Sequence, residues 1–179
     1  MNSTFHLTEI IKDGLSTIET THKRILLLFI FPFAFGLFLE FYANINISID
    51  YIDVLISSLS IFTGFFFTLI VYVADKAANK KKIYRLEENE EDKRFLNSYL
   101  TFTERLISQI SYSIFLSIMV IAFSLISQLN LSCLSNSICN AINHFLQILI
   151  FSMIVHFGIY LLLIVSNMYA LFLEEIKRK

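Results

Sequence analysis

Proline occurs once and glycine four times in 179 residues, and tryptophan is absent. So few chain breakers exclude a fold built on tight turns and leave no glycine-rich loop to cradle a phosphate. Neither G-x-S-x-G nor H-E-x-x-H occurs, so the acyl-transfer and zinc-hydrolase sites built on those motifs are not expected. The two cysteines form no C-x-x-C, and His144 and His156 stand twelve apart, too far for a same-turn metal pair. Charged residues make up 16% of the chain, against about 25% in an ordinary soluble domain. The net charge of −1 supplies no basic face for nucleic acid. These absences point away from an enzyme, a cofactor, a metal or a nucleic-acid partner.

What remains is apolar. Hydrophobic residues account for 56% of the chain, 19 are Phe, and mean hydropathy is +0.67. Four stretches read as membrane spans: Ile25–Ala43, Ile52–Ala74, Ile107–Leu129 and about Asn143–Leu173. A spanning helix needs about 20 apolar residues to cross roughly 30 Å of hydrocarbon. The first three fit directly, and the fourth is long enough to tilt or to run on past the bilayer. None carries the charged face that a buried helix of a soluble domain would show. The expected fold is an all-α integral membrane protein with four transmembrane helices. Residues 25–74 and 107–173 form the two transmembrane pairs, the second with an outer loop at 130–142.

Orientation follows from the cations. All 14 Lys and Arg lie in 1–24, in 75–106 or at Lys177, Arg178 and Lys179, and the other two connections hold none. The positive-inside rule assigns those segments to the cytoplasm, with both termini, in a bacterial inner or other plasma membrane. The first span lacks the short apolar core and small-residue cleavage site of a signal peptide and is expected to stay attached.

Leu7, Ile10, Ile11, Leu15 and Ile18 recur at helical spacing, so 1–24 reads as an amphipathic helix at the inner surface. Pro32 predicts a kink in the first span. Ser57, Ser60, Gly64 and Thr68 form a small-residue stripe on the second, and Ser113, Ser117 and Ser124, with Ser127, a similar one on the third. Small residues allow close helix approach in lipid, so these are expected packing faces, within the chain or between copies in a homo-oligomer. A water-lined path is the other reading.

Segment 75–106 contains no Pro or Gly and is too long for a structureless loop. It reads as a cytoplasmic helical hairpin between spans two and three, turning near Asn89, each arm projecting roughly 20 Å at 1.5 Å per residue. Its basic run, Lys80, Lys81, Lys82 and Arg85, is followed by Glu87–Asp92, including Glu90 and Glu91. Phe95, Tyr99 and Phe102 give the returning arm an apolar side that Ala77, Tyr84 and Leu86 could face. The hairpin either rests its bases on membrane lipid headgroups or serves as a docking post for a cytoplasmic protein.

Cys133 and Cys139 share the outer loop, where a disulfide can persist, although free thiols remain open. His156 lies mid-span on one face with Ser152, Tyr160 and Asn167. Such a residue is either hydrogen-bonded in a helix interface or part of a polar path. Glu40, Asp50 and Asp53 cluster around the outer connection. In a ring of copies, Glu40 and Asp53 would make an acidic pore mouth above His156.

The four-span plan, the charged segment between spans two and three and the phrase Ser60-Ile61-Phe62-Thr63-Gly64-Phe65-Phe66-Phe67-Thr68-Leu69 resemble the membrane subunit of Kiwa-type antiphage defence systems. That resemblance implies an oligomeric membrane sensor that recruits a cytoplasmic effector, with Asp75–Leu106 as the contact. The expected function is therefore a non-enzymatic sensor or scaffold subunit. An oligomeric pore or ion channel that depolarises the membrane is the alternative.

Overall fold

The computed structural model describes residues 26–42, 48–84, 90–128 and 136–177. The expected amphipathic segment 1–24, the turn near Asn89, Arg85, Cys133 and the tail residues Arg178 and Lys179 lie outside them. All elements among the described residues are helical. A π-helical turn, Leu26–Ile30, leads directly into α1, Phe31–Phe41. Three long helices follow: α2, Ile49–Tyr84, α3, Glu90–Ser127, and α4, Asn136–Lys177.

These three are long and apolar enough to cross a membrane. Large apolar side chains on their outer faces, such as Ile61 at 73% exposure, suit lipid rather than water. The first stretch is shorter. Its described helix covers Leu26–Phe41, 16 positions or roughly 24 Å at 1.5 Å per residue, against about 30 Å of hydrocarbon.

Pro32 shapes that first stretch. It sits in the first turn of α1, where its missing N–H costs least, and the π turn lies immediately before it. The disturbance expected there as a kink takes the form of that π turn.

The helices pack as α1 on α4, α4 on α3 and α3 on α2. The α2–α3 pair is antiparallel, since Tyr84 meets Phe95 while Thr63 meets Ser117. On α2 the buried positions are Ile52, Leu59, Phe66 and Val73, spaced seven apart. On α3, Tyr99, Thr103, Leu106, Ile110, Ser113, Ser117, Val120 and Ser124 are buried at alternating spacings of four and three. A heptad seam of this kind keeps two helices in contact as they supercoil. Bulk on α2 is matched by small residues on α3: Ser113, Ser117 and Ser124 are each 0% exposed. The stripe Ser57, Ser60, Gly64 and Thr68 lies on the exposed side of α2, away from this seam. Thr63, one position from Gly64, is the small residue that faces α3, with its hydroxyl 2.7 Å from that of Ser117.

A close helix approach lies elsewhere, between α1 and α4. A Cβ added at Gly36 would run into the Ser152 Oγ and stand 2.8 Å from the Ile148 carbonyl oxygen, whereas one at Gly64 would meet nothing within 4 Å. Gly36→Ala is therefore expected to push α1 off α4 and cost about 1–3 kcal/mol. Gly64→Ala should be neutral, or stabilising by up to about 1 kcal/mol through helix propensity. Thermal unfolding of both variants in detergent checks the contrast, and equal behaviour would show that α1 does not dock through Gly36.

Candidate functional site

Four groups on the π turn and α1 line up against α4: Leu28, Pro32, Gly36 and Glu40, each one turn from the next. All four are buried. They face His144, Ile148, Ser152 and His156, so the two helices run antiparallel and bring polar side chains together in the apolar region.

At mid-span, Pro32 has no N–H to give the Leu28 carbonyl four residues back. His156 Nδ1 lies 2.6 Å from that carbonyl oxygen. A carbonyl only accepts, so Nδ1 carries the proton and Nε2 is left as the acceptor. The Tyr112 hydroxyl, 3.2 Å from Nε2, then donates to it. Both nitrogens of a neutral imidazole are thereby satisfied, from α1 on one side and α3 on the other. Phe29 and Tyr160 pack their rings against the imidazole at 5.4 and 5.1 Å between centroids. Beside this cluster lies a cavity of about 220 Å³, lined in part by Pro32, Tyr112, Ser152 and His156. The Ser152 hydroxyl is buried with no hydrogen-bond partner among the described residues.

Towards the Glu40 end of α1, His144 Nδ1 is 2.5 Å from Glu40 Oε1. The Glu40 side chain is 3% exposed and that of His144 60%. The contact is an ion pair when the ring is protonated and a neutral-donor hydrogen bond otherwise. With its amide nitrogen turned towards Glu40, Gln147 donates to Oε2 at 2.8 Å. Towards the other end, the Asn167 amide of α4 donates to Gln109 Oε1 of α3 at 2.7 Å.

Together these groups make a polar column along α4 from His144 to Asn167, joined by α1 and α3. Glu40 and His156, anticipated as members of a polar path, both belong to it. Asp53 does not: it is exposed on α2. Gln109, Tyr112 and Gln147 escaped sequence reasoning. The available signals were Pro32, which frees one identifiable carbonyl, and the rule that an ionisable group in lipid needs a named partner.

The residues anticipated as partner-binding lie where α2 and α3 run past their apolar parts. Tyr99 is buried, and Phe95 and Phe102 are half-buried against the core. Lys80 Nζ stands over three rings, 5.9 Å from the Tyr84 centroid, 5.8 Å from Phe95 and 5.7 Å from Tyr99. The aromatic side of the returning arm is thus covered by α2. Lys81, Lys82, Glu90 and Glu91 are exposed. Arg85 lies outside the described residues. So does Cys133, while Cys139 is half-buried near the start of α4. Among the described residues no three His, Cys, Asp or Glu side chains gather as metal ligands.

No protein-family model matches this sequence, and no match is found among curated proteins or among solved structures.

The geometry predicts a coupled Glu40–His144 pair. Glu40→Gln and His144→Ala should each destabilise the protein, and a double-mutant cycle should return a coupling of about 0.5–3 kcal/mol. Additive losses in detergent unfolding would mean that the two side chains do not interact.

Proposed function

We propose that this chain is a four-span membrane subunit, both termini cytoplasmic, that self-associates and presents the α2–α3 extension to a cytoplasmic protein. The π turn and α1 supply the first and shortest span. One observation carries the reading: the α2–α3 seam runs from the apolar region into the charged region without a break. Val73, Ala77, Lys80 and Tyr84 continue it on α2, opposite Leu106, Thr103, Tyr99 and Phe95 on α3. A shift of the two helices in the bilayer therefore reaches the tip of the extension as a rigid-body movement, because a continuous heptad seam has no joint to absorb it.

Two further features support it. The exposed Ser57, Ser60, Gly64 and Thr68 leave α2 a face that a second copy can approach closely. The exposed charges of the extension, basic at Lys81 and Lys82 and acidic at Glu90 and Glu91, suit a polar protein surface. The aromatic residues are already occupied within the chain. The resemblance to Kiwa-type membrane subunits points the same way, towards a sensor that recruits an effector in bacterial antiphage defence.

The polar column favours a second reading, an oligomeric pore. From His144 to Asn167 it covers 24 residues of α4, roughly 35 Å, enough to cross the hydrocarbon. Its groups are largely bonded to one another, which suits fastening of helices better than a hydrated path. Proteoliposomes separate the two. Ion flux lowered by His156→Ala or Glu40→Gln would establish the pore, and no flux would leave the scaffold.

Affinity purification from detergent is expected to recover a cytoplasmic protein with the wild-type chain. Lys81→Glu with Lys82→Glu should lose that protein while the oligomer mass stays unchanged. A Gly-Pro pair at Ala77–Ala78 should keep the membrane part folded and uncouple it from the extension. Partner recovery unaffected by the charge reversals, or activity unaffected by the Gly-Pro pair, would refute this function.

A further inference from the structure

Glu40 is the one charged residue of α1, and its side chain is 3% exposed. A carboxylate withdrawn from water to that degree needs a compensating cation or a proton. The sequence leaves few candidates. Residues 25–74 and 107–176 contain no Lys or Arg, and His144 and His156 are their only histidines. His156 is already engaged at mid-span, its ring nitrogens met by the Leu28 carbonyl and the Tyr112 hydroxyl. His144 reaches the carboxylate, with Nδ1 2.5 Å from Oε1. Its side chain is 60% exposed, so it exchanges protons with the water at that end of the helix pair.

Few other ionisable groups share this end. α1 packs on the π turn, which carries none, and on α4. On α4 the Gln147 amide that donates to Oε2 is neutral, and Cys139 precedes His144 by five residues. α3, which packs on α4, has no titratable residue from Ser113 to Ser127. Tyr42 is exposed just past the helix. Asp50 and Asp53 are exposed on α2, which does not pack on α1 among the described residues. The sequence places no ionisable side chain in 43–47 and only Cys133 in 129–135. Of all these groups, only an imidazole ordinarily changes charge between about pH 5 and 8.

We infer that Glu40 and His144 form a proton-operated latch, which holds this end of α1 on α4 and loosens as the aqueous phase there turns alkaline. With one proton on the pair, an imidazolium donates a charge-assisted hydrogen bond to a carboxylate. When that proton leaves, Nδ1–H and the Gln147 amide still donate to Glu40. The carboxylate charge then stands uncompensated in a poorly polarisable surrounding. Undocked, Glu40 at the end of its helix regains water and tolerates the loss. The docked state therefore binds more protons than the undocked one through this range, so docking weakens as pH rises. In acid a second proton neutralises Glu40 while water solvates the exposed imidazolium, and the opposing change is smaller. Under the orientation proposed above, the sensed phase is the outer one. The latch itself stands without that assignment.

A double-mutant cycle of Glu40→Gln and His144→Ala, measured by unfolding in detergent, isolates the pair because other titrating groups cancel. It is run at about pH 5.5 and about pH 8.5, on either side of the imidazole range. The interaction constant is expected to fall roughly fivefold from the first to the second. That is the difference between a charge-assisted and a neutral hydrogen bond. A coupling independent of pH, or one that grows with pH, would overturn the latch. Two further variants separate charge from hydrogen bonding. His144→Lys keeps a cation throughout, and its longer side chain fits because the position is exposed. Its coupling to Glu40 should change by less than about twofold, since an amine stays protonated at both values. His144→Gln keeps a neutral donor and should show the weak, alkaline coupling at both. A wild-type pH response in either variant would place the titrating group elsewhere and overturn the proposal.

Discussion

Hydrocarbon supplies no hydrogen bond, and the place of α1 in this protein follows from how its polar groups are met without water. Pro32 strips the Leu28 carbonyl of its helical donor, and His156 replaces that donor with a side chain from α4. Glu40, one of very few charges among the apolar residues, is met by His144 and Gln147 of the same helix. Apolar contact alone gives a helix little reason to prefer protein over lipid tails, since both are equally oily. Hydrogen bonds and the close approach at Gly36 therefore hold α1, the shortest helix, to α4. A group left buried without its partner costs about 1–3 kcal/mol, more than the net worth of most pairs, so this column resists piecemeal loss.

The α2–α3 pair is organised differently. Its seam is matched by size, large residues on α2 against serines on α3, with one hydroxyl contact between Thr63 and Ser117. Where the helices pass beyond their apolar segments, water becomes the competing solvent and the hydrophobic effect adds to shape. Tyr84, Phe95, Tyr99 and Phe102 occur in that part of the pair, closed over by the Lys80 ammonium. Shape and the hydrophobic effect thus both hold the pair together beyond its apolar segments.

A single geometric fact ties the remaining surfaces together: α3 is central and α2 and α4 flank it. Because α2 touches mainly α3, its Ser57–Thr68 face stays open to another copy. Because α2 and α4 meet through ring contacts without direct backbone packing among the described residues, a groove remains between them.

Much of the fold was legible in the residues. Apolar runs separated by charge gave the helices, the lack of Pro and Gly in 75–106 gave the long continuation of α2 and α3, and the serines of α3 marked a packed face. Composition decides these matters because solvent preference and helix propensity are properties of a segment by itself. Which helix neighbours which is a property of pairs. Only the tertiary structure set Gly36 against Ser152, joined Glu40 to His144 across 104 residues and placed Asp53 outside the column. It also turned the small-residue stripe of α2 away from α3 and put Leu59, Phe66 and Val73 there instead. On a helix apolar on every side, periodicity cannot say which face meets protein and which meets lipid, because both are equally apolar, and only the shapes of the neighbours choose.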